Sequence, residues 1–568
     1  MRNTRKVMTA TAALALTAAT ASVSLAQVPV ERNDVAFGKN RANAAETLQL
    51  IRGFPTGTVL GNQWAFPVGT AAFAQSVQFD NTDGFRHAQF GNLLSLNFGT
   101  NPASGGFGGQ IYNHETRFTA GTNPGATQLV FDFPSYNTAN PGAPLSLSRI
   151  NGLSISPQNN RLAFTGSDNG AVYVLDYNAG AAVGTGAGAS VTNGRERTIF
   201  GTGNTVGSSA TIWTDNNTLL ALAPTGDLQR VTVAAGSLNS ANVATLTVPA
   251  GTSNFSSLAY EPTLSPYVWA SAAIFNGTTT TNKVWALDPT SFAVVDEVDL
   301  STSIAAKSIR ELAFDSRGNL FISHFVNTTS TPAGESIAVI LNAAANAGSI
   351  ADNSSQPYFT QTGTVQSAQF NGMDVAAALL DYKTAGVKVD IRNRSTVQQF
   401  FGASPLNEVR LKVQAGYNGG SWNGTGITSS NAAAQPGYAV GYGDAGELGL
   451  VGGTFGGESV PGPAVLFRLT RFGDANLDGQ VNLADFNRLA ANFGASNSFW
   501  TRGDFNYDGN VNLSDFNLLA ANFGLSAAGP TVTPEDWARL GAAVPEPASV
   551  ALVGAGAVAL LARRRRRD

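Results

Sequence analysis

Short apolar runs separated by polar turns dominate the chain between residues 28 and about 465. Several runs recur as a unit in which two runs flank a polar turn and a third run follows a longer turn. Short runs rich in Val, Ile, Phe, Tyr and Trp, bounded by Gly, Asn and Pro, are typical of β-strands. The copies comprise Leu153–Pro157, Arg161–Phe164 and Ala171–Asp176; Ile212–Trp213, Thr218–Leu222 and Asp227–Val231; Leu258–Pro262, Tyr267–Ala270 and Lys283–Asp288; and Leu312–Ser316, Gly318–Ile322 and Ser336–Leu341.

The spacing of these units indicates the fold. Leu258 and Leu312 begin successive copies 54 residues apart (312 − 258), and periods of about 40–50 residues with several strands each are typical of propeller blades. One blade cannot bury both faces of its small sheet, so neighbouring blades must stack into a ring. We therefore predict a mainly β protein with a β-propeller of roughly six to eight blades, seven favoured, over residues 27–465. The pattern resembles WD-repeat and NHL-like propellers; a β-sandwich pair or a β-solenoid is the alternative.

Four windows outside the clear repeat predict further local structure. Residues 41–52 have the spacing of a short amphipathic helix. Val387–Ile391 and Val409–Val413 alternate apolar and polar positions, as half-buried strands do. Val465–Leu469 is predicted to be a last strand that leads directly into the next motif.

Two loops rich in Asp and Asn follow that strand. Oxygen-bearing side chains occupy positions 1, 3, 5, 9 and 12 of each loop, and Gly479 and Gly509 occupy position 6. This is the pattern of an EF-hand calcium loop, except that position 12 is Asp rather than Glu. Position 7 needs only a backbone carbonyl, and the glycine allows the sharp turn around the ion. The predicted calcium ligands are Asp474, Asn476, Asp478, Gln480, Asn482 and Asp485 in the first loop, and Asp504, Asn506, Asp508, Asn510, Asn512 and Asp515 in the second.

Solvent-exposed Asn/Asp-Gly turns are the alternative interpretation of these loops. The acidic residues favour calcium, because residues 471–524 contain six Asp and no Glu, and all six lie at position 1, 5 or 12 of a loop. Apolar residues at helical spacing follow each loop, and Gly494 and Gly524 close the two predicted helices as C-cap residues. We expect a small α module with one Ca²⁺ in each loop, two ions in all.

The two loop-helix units over residues 472–525 resemble a type I dockerin module, because no helix precedes the first loop. The resemblance implies a fold around two calcium ions, a cohesin-like partner, and often attachment of glycan-degrading enzymes to a scaffold or cell surface. Many cohesin-binding dockerins carry a Ser/Thr-containing pair at positions 10 and 11, where this chain has Leu483-Ala484 and Leu513-Ser514.

The two ends of the chain carry export signals. Met1–Ala26 combines a basic start, a run of Ala, Leu, Thr and Val, and small residues at its end, which predicts a signal peptide cleaved before Gln27. A linker with a short helix is predicted over residues 526–543. Residues 544–568 combine Pro-Glu-Pro, an apolar run over Ala548–Ala562 and an arginine cluster. As a helix this run spans about 22 Å, less than the ~30 Å hydrocarbon core.

This tail is similar to a PEP-CTERM sorting signal, with a simple C-terminal anchor as the alternative. The resemblance implies processing by an exosortase-type enzyme and a membrane contact limited to this segment, in the inner membrane. Because the arginines should stay on the cytoplasmic side, both interpretations place the body of the protein outside the cell or at its surface.

Composition excludes two classes of protein. The chain has no cysteine among its 568 residues, so neither disulfides nor thiolate metal sites stabilise it. Charged residues make up 13% and the formal net charge is −4, which excludes a polybasic nucleic-acid-binding protein.

No catalytic constellation is evident in the sequence. No two of the histidines, His87, His114 and His324, have the spacing of a metal-binding motif. The acids Asp176 and Asp288 end the third strands of their units, where turn capping is expected. Other candidates are the carboxylate pair Glu311 and Asp315 for glycoside hydrolysis, and Trp269, Trp285 and Trp422 as sugar-stacking or core residues.

Two functions remain open from the sequence. The first is a non-catalytic surface protein whose propeller binds a polysaccharide or another surface ligand and whose dockerin-like module attaches to a partner. The second is a polysaccharide-degrading hydrolase or lyase tethered through that module, which requires two acids about 5–10 Å apart in an aromatic-lined cleft.

Overall fold

The structure is a computed structural model. It describes residues 30–39, 47–65, 73–81, 84–88, 92–100, 107–116, 127–148, 150–166, 169–178, 189–200, 210–223, 225–246, 252–275, 279–304, 307–326, 336–360, 372–392, 395–527 and 529–530. The predicted signal peptide, most of the predicted linker and the predicted sorting tail lie outside these residues. Within them, no helix has the length and apolar character needed to cross a membrane.

Six four-stranded antiparallel sheets make up the described chain from Val35 to Val375. The strands of the first three sheets are β1 (Val35–Lys39), β2 (Thr47–Arg52) and β3 (Thr58–Ala65); β4 (Phe73–Phe79), β6 (Asn92–Thr100), β7 (Phe107–Glu115) and β8 (Thr127–Asp132), with the short β5 (Phe85–Arg86) between β4 and β6; and β9 (Ile150–Ile155), β10 (Arg161–Gly166), β11 (Ala171–Asn178) and β12 (Ser190–Thr198). Helix α1 (Phe133–Ala139) follows β8.

The next three sheets repeat the same antiparallel meander. Their strands are β13 (Ala210–Trp213), β14 (Thr218–Leu222), β15 (Asp227–Val233) and β16 (Leu238–Thr245); β17 (Thr252–Ala259), β18 (Val268–Phe275), β19 (Thr280–Leu287) and β20 (Val294–Asp299); and β21 (Lys307–Phe314), β22 (Leu320–Val326), β23 (Ser336–Ile340) and β24 (Gln356–Thr360). Helix α2 (Ala343–Asn346) lies between β23 and β24.

A late strand closes the ring of sheets. Strand β25 (Met373–Val375) pairs antiparallel with β1 and becomes the fourth strand of the first sheet. The innermost strands contact one another in the order β4, β9, β13, β17, β21 and β25, and β25 returns to β4. This closed ring of six blades confirms the predicted β-propeller.

Each pair of adjacent blades shares its own hydrophobic core, so both faces of every sheet are buried. Strand β14 shows how the sequence achieves this: Leu219 packs toward the third blade and Leu220 toward the fifth. Because successive side chains of a strand point to opposite faces, such a strand must be apolar at consecutive positions. The continuous run Thr218–Leu222 meets that requirement and excludes a sheet with one solvated face.

The propeller has six blades, the lower end of the predicted range rather than the favoured seven, and its sheets do not reach residue 465. Strand β25 supplies the missing inner strand of the first blade, which completes the ring. The inner edge of every blade is then occupied. The strands of the three-stranded sheet that follows β25 therefore pair with one another rather than with a blade.

Residues 379–471 form a separate unit, here called the α/β unit. Its elements are β26 (Leu379–Leu380), β27 (Lys388–Asp390), β28 (Ser395–Gln399), α3 (Leu406–Tyr417), β29 (Gly426–Thr428), α4 (Ser430–Ala434), β30 (Tyr438–Asp444), β31 (Thr454–Phe455), β32 (Glu458–Ser459) and β33 (Ala464–Arg471). Strand β33 lies between β28 and β30 in a three-stranded antiparallel sheet, and β27 runs parallel to β29. Strand β26 pairs with β5 of the propeller and joins the two units.

The last unit, the paired-loop module of residues 472–525, follows β33 directly, as predicted. Helix α5 (Leu483–Ala491) follows the first loop and α6 (Leu513–Asn522) the second, with a 3₁₀ turn at Trp500–Arg502 between them. Gly494 and Gly524 have φ values of +86° and +85° just beyond the helices, as expected of C-cap glycines. The short strands β34 (Leu525–Ser526) and β35 (Gly529–Pro530) end the described chain.

Two local predictions were wrong. The segment predicted as a helix over 41–52 contains strand β2, in which Leu48 and Leu50 face the second blade. Val409–Val413 lies in helix α3 rather than in a strand. Its apolar residues fit the period of a helix and that of a strand. Val409 and Val413 are buried, whereas Leu411 between them is 49% exposed. A strand would place all three residues on one face, whereas a helix places the two valines one turn apart on the same face and Leu411 on the opposite face.

Candidate metal centres and cavities

The backbone of the two loops turns at the same two positions. Leu477 and Tyr507 at position 4 have φ values of +61° and +64°, and Gly479 and Gly509 at position 6 have +89° and +85°. A backbone conformation with positive φ is less favourable in free energy for a residue with a Cβ than for glycine. These turns bring the N–H of Asn476 at position 3 to Asp485 at position 12, and the N–H of Asp478 at position 5 to Asp474 at position 1.

In the first loop, position 1 and position 12 supply fully buried carboxylates, Asp474 and Asp485. Asp474 accepts hydrogen bonds from the backbone N–H groups of Asp478 (3.1 Å) and Gly479 (2.9 Å). Burial, together with the neighbouring charges, raises the pKa of Asp474 to about 7 and that of Asp485 to about 8. Two carboxylates are thus held close together in a site that water does not solvate.

The second loop repeats this arrangement with Asp504 and Asp515, both fully buried. Asp504 accepts a hydrogen bond from the N–H of Gly509 (3.0 Å) through Oδ2, whereas its Oδ1 is buried without a hydrogen-bond partner. Burial and the charge of Asp515 raise the pKa of Asp504 to about 7. A buried carboxylate oxygen without a partner is costly unless a cation completes its coordination.

Positions 9 and 12 also start the helices. The Asn482 side chain accepts a hydrogen bond at the start of α5, and Asp485 accepts one from the Asn482 N–H at 2.8 Å. Asn512 and Asp515 form the same capping box at α6. The Asp at position 12 therefore has two tasks, because it caps the helix and lines the loop.

The donor set fits a hard cation. Among the described residues, no three His, Cys, Asp or Glu side chains converge closely enough to hold a metal alone. Asp478 and Asp508 are exposed and accept hydrogen bonds from nearby N–H groups, which leaves two buried carboxylates per loop. Calcium also takes amide and backbone carbonyl oxygens, which positions 3, 7 and 9 provide. Such a site would hold Ca²⁺ with carboxylates, amides and carbonyls together.

The comparison of sequence families agrees with this geometry. Residues 472–524 match the family described as Dockerin type I domain. The paired-loop module is a type I dockerin domain. A second match covers residues 543–567, described as the PEP-CTERM protein-sorting motif, and lies outside the described residues. Together the two matches support an exported protein that carries a dockerin domain and is sorted through its C-terminal tail.

No curated protein matches the chain. Among solved structures, it is similar to Kuenenia stuttgartiensis hydrazine synthase, with 9% identity, a TM-score of 0.28, and coverage of 47% of this chain and 62% of the other. The beta-propeller domain of Myceliophteria thermophila Cps50 (Swd1) has 12% identity, a TM-score of 0.25 and coverage of 44% and 65%. Pseudomonas aeruginosa periplasmic gluconolactonase PpgL has 13% identity, a TM-score of 0.33 and coverage of 60% and 98%. The chain thus spans less than two thirds of the first two proteins.

The dockerin domain shares one hydrophobic core with the α/β unit. Tyr507 stacks on Trp500 with ring centroids 5.5 Å apart and meets Tyr417 of helix α3 edge-on at 5.1 Å. The Tyr507 hydroxyl donates a hydrogen bond to the Val440 carbonyl at 3.0 Å, and Trp500 Nε1 donates to the Asp474 carbonyl at 2.6 Å. The domain is therefore packed against the rest of the protein rather than tethered by a free linker.

Histidine and carboxylates meet at one end of the propeller channel. His87 donates or accepts 2.7 Å hydrogen bonds at both ring nitrogens, from Nδ1 to Asp374 and from Nε2 to Glu261. Burial alone lowers the pKa of His87, but the two carboxylates outweigh it and raise the pKa to about 10. The protonated histidine links the second, first and fifth blades, which is a structural role.

A half-buried glutamate lines the same cavity. Glu311 accepts hydrogen bonds from the Ser76 hydroxyl (2.6 Å) and from the Met373 N–H. Burial raises the pKa of Glu311 well above its ordinary value. The cavity lined by Glu311, His87, Glu261 and Asp374 has a volume of about 50 Å³, far below the roughly 300–1,000 Å³ of ligand pockets.

The other candidate residues have structural partners. Asp315 pairs with Arg317 and Asn319, so the two acids of the predicted carboxylate pair have different partners. Asp288 accepts hydrogen bonds from a turn, as expected, and Asp176 pairs with Arg195 at 3.0 Å.

The remaining histidines and the tryptophans lie in the core. His114 is fully buried, bonds Ser95 at 2.8 Å and has its pKa lowered to about 3 by burial, while His324 is 4% exposed. The three tryptophans considered as sugar platforms are at most 5% exposed and pack inside: Trp269, Trp285 and Trp422.

A larger cavity of about 680 Å³ lies between the propeller and the α/β unit. Arg32 and Ser316 line it on the propeller side, and Ser395, Glu458 and Ser459 line it on the other. Arg32 Nη1 donates to Glu458 across the boundary. The hydroxyls of the three serines make no hydrogen bond within the described residues. The cavity has the size and the unused polar groups of a small-ligand site.

Proposed function

We propose that this protein is an exported, surface-sorted binding protein whose dockerin domain holds two Ca²⁺ ions and attaches to a cohesin-like partner. The propeller and the α/β unit present the ligand-binding surface, and the chain is non-catalytic. The observation that carries the proposal is the pair of loops in which buried carboxylates converge without ion-pair partners in the described residues.

Calcium would use the loop positions predicted from the sequence. The buried carboxylates Asp474, Asp485, Asp504 and Asp515 supply charge, while the amides and carbonyls of the remaining positions complete the shell. Without a cation, four carboxylates desolvated in one small module repel one another. The raised pKa values of Asp474, Asp485 and Asp504 support this interpretation.

Attachment requires a free surface on the dockerin domain. Its core faces the α/β unit, and Leu483 at position 10 of the first loop packs against that core. The other residues at positions 10 and 11 are exposed: Ala484, Leu513 and Ser514. Leu513 is 63% exposed, and Phe493 at the end of helix α5 is 57% exposed. Large apolar side chains left in water next to polar neighbours are typical of protein interaction sites. An exosortase-type enzyme would process the C-terminal tail.

The two cavities support the proposal of binding rather than catalysis. The acids that line the propeller channel are engaged by His87, Ser76 and the backbone, and a volume of about 50 Å³ cannot admit a sugar ring. The cavity between the units is large enough, and its groups without a hydrogen-bond partner in the described residues are serine hydroxyls, Nη2 of Arg32 and Oε1 of Gln399. These groups suit a neutral, polyhydroxylated ligand such as a polysaccharide segment.

The test is a screen of the mature protein, residues 27–543, against a polysaccharide panel with calcium, following binding and the release of reducing or unsaturated ends. We expect binding without product release. Ser459→Tyr, which fills the cavity between the units, should weaken binding, whereas Ser421→Tyr on the exposed surface should not. Product release would contradict the non-catalytic proposal, and binding that Ser459→Tyr leaves unchanged would exclude this cavity.

A further inference from the structure

One arginine of the α/β unit lies over each calcium loop, although neither belongs to the dockerin domain. A Cβ added to Gly479 would lie 2.9 Å from Nη2 of Arg468, and one added to Gly509 would lie 3.1 Å from Nη1 of Arg410. Arg468 comes from strand β33 and Arg410 from helix α3. Two unrelated elements therefore place a guanidinium at position 6 of the first and of the second loop.

The two arginines are bound differently. Arg468 Nη1 donates a 2.6 Å hydrogen bond to the carbonyl of Leu477, at position 4 of the first loop. Within the part of the chain that the structure describes, Arg410 makes only a long 3.4 Å hydrogen bond to Asn407 in its own helix, and its Nε is buried without a hydrogen-bond partner. Arg468 thus holds its loop through both contact and charge, whereas Arg410 acts on its loop through charge.

These arginines interact electrostatically with the nearby loop carboxylates without forming ion pairs with them. Within the described residues neither Arg468 nor Arg410 forms an ion pair with a loop carboxylate. Each guanidinium nevertheless lies against the position-6 glycine whose N–H donates to the buried carboxylate of Asp474 or Asp504. A positive charge near two repelling carboxylates stabilises the loop when no cation is bound. The same charge repels an incoming Ca²⁺.

We propose that Arg410 and Arg468 hold the calcium loops folded in the absence of calcium and, in doing so, lower the affinity of the loops for it. The α/β unit thereby sets the calcium concentration at which the dockerin domain fills. This inference rests on the proposed calcium binding. It adds residues outside the dockerin domain to the groups that determine that binding.

The size of the effect follows from Coulomb's law. Two unit charges about 4 Å apart in water interact by roughly 1 kcal/mol, and a divalent ion at about twice that distance gives a similar energy. This energy corresponds to about a fivefold change in a dissociation constant. Removing the charge of Arg410 should therefore tighten calcium binding at the second loop by about fivefold.

Arg410→Gln in the mature protein is the central test, with calcium binding measured by isothermal titration and the melting temperature measured in a chelator. We expect a several-fold tighter second site and a lower melting temperature without calcium. Lys412→Gln removes an equal charge from the opposite side of helix α3 and should change neither, and Arg410→Lys should retain the wild-type affinity. Unchanged or weaker calcium binding in Arg410→Gln would overturn the proposal.

Arg468→Gln tests the hydrogen-bonded arginine. Because it loses the bond to Leu477 as well as the charge, it should lower the calcium-free melting temperature more than Arg410→Gln does. An equal or smaller decrease would overturn the difference proposed between the two arginines. A wild-type protein that fails to bind calcium would instead contradict the proposed function itself, so the titration of wild type separates the two failures.

Discussion

The residues that line the propeller channel bind the ring together rather than a substrate. His87 lies between two carboxylates from different blades, and Glu311 joins a serine of the second blade to the closing strand. Both groups are titratable and both are desolvated. Because both pKa values are raised in the folded state, protonation of either group should stabilise the propeller.

His87 should make the propeller less stable at alkaline pH. Its folded-state pKa of about 10 is above the ordinary value of 6.5, so its stabilising contribution is complete below pH 6.5 and is lost as the pH rises through 10. The melting temperature of wild type should exceed that of His87→Gln at pH 7, and the difference should shrink by pH 10.5. A constant difference across this range would exclude an ionised histidine.

Glu311 should tolerate amide replacement but not truncation. Because its pKa is raised above the ordinary 4.5, ionisation destabilises the folded state as the pH rises above that value. Glu311→Gln should be neutral or stabilising at pH 8. Glu311→Ala, which leaves the partner groups unpaired, should cost about 1–3 kcal/mol. Denaturant unfolding measures the free energy of unfolding of both variants. An equal loss of stability in Glu311→Gln and Glu311→Ala would show that the carboxylate charge is required.

At the scale of elements, each calcium loop and the helix after it form one unit. The capping box uses Asp485 and Asp515, which also line the loops, so ion binding and helix formation should be coupled. The pairing of β34 with β35 and the backbone contact of Val481 with Leu525 connect the end of the second unit to the first loop. Filling one loop should thus order both helices.

The double substitution Asp474→Ala and Asp504→Ala should abolish calcium-dependent ordering of residues 472–525. At free calcium 100 times the dissociation constant, binding stabilises a folded state by about 2.7 kcal/mol per site, and the variant should lose this gain at both sites. Calorimetry and circular dichroism with and without chelator measure it. Asn487→Ala with Asn517→Ala, on the exposed helix surfaces, is the control. A chelator without effect on wild type would contradict calcium binding.

At the scale of the whole molecule, the dockerin domain completes the core of the α/β unit. Tyr507 packs among Tyr417, Trp422 and Tyr442 of that unit, and Trp500 stacks on Tyr507. Burying two such aromatic residues contributes several kcal/mol. The propeller, by contrast, closes on itself through β25. The two parts should therefore respond differently when the C-terminal residues are removed.

A fragment of residues 27–471 should keep a cooperatively folded propeller but lose order in residues 395–471. Hydrogen exchange should show fast exchange in helix α3 and strand β33, with the blade strands still protected. A fragment of residues 27–392, which retains β25 but not the α/β sheet, should fold as a propeller. Full protection of α3 in the longer fragment would contradict a shared core.

The sequence by itself determined the local chemistry and the repeated architecture. The loop pattern from Asp474 to Asp515, the two helices after the loops and the glycines at their ends follow from short-range rules of ligand spacing, capping and φ. The blade strands were visible because a sheet covered on both faces requires continuous apolar runs. These features depend on residues within one turn or one strand of each other.

Only the tertiary structure decided the blade count, the nature of Val409–Val413 and the groups around the sites. Closure by Met373–Val375 joins residues more than 300 positions apart, and no local pattern shows which strand fills the last edge. The apolar spacing of Val409 and Val413 fits a helix and a strand equally until burial separates them. Arg410 and Arg468 reach the loops from other elements, because long-range packing, not neighbouring sequence, sets which charges surround a site.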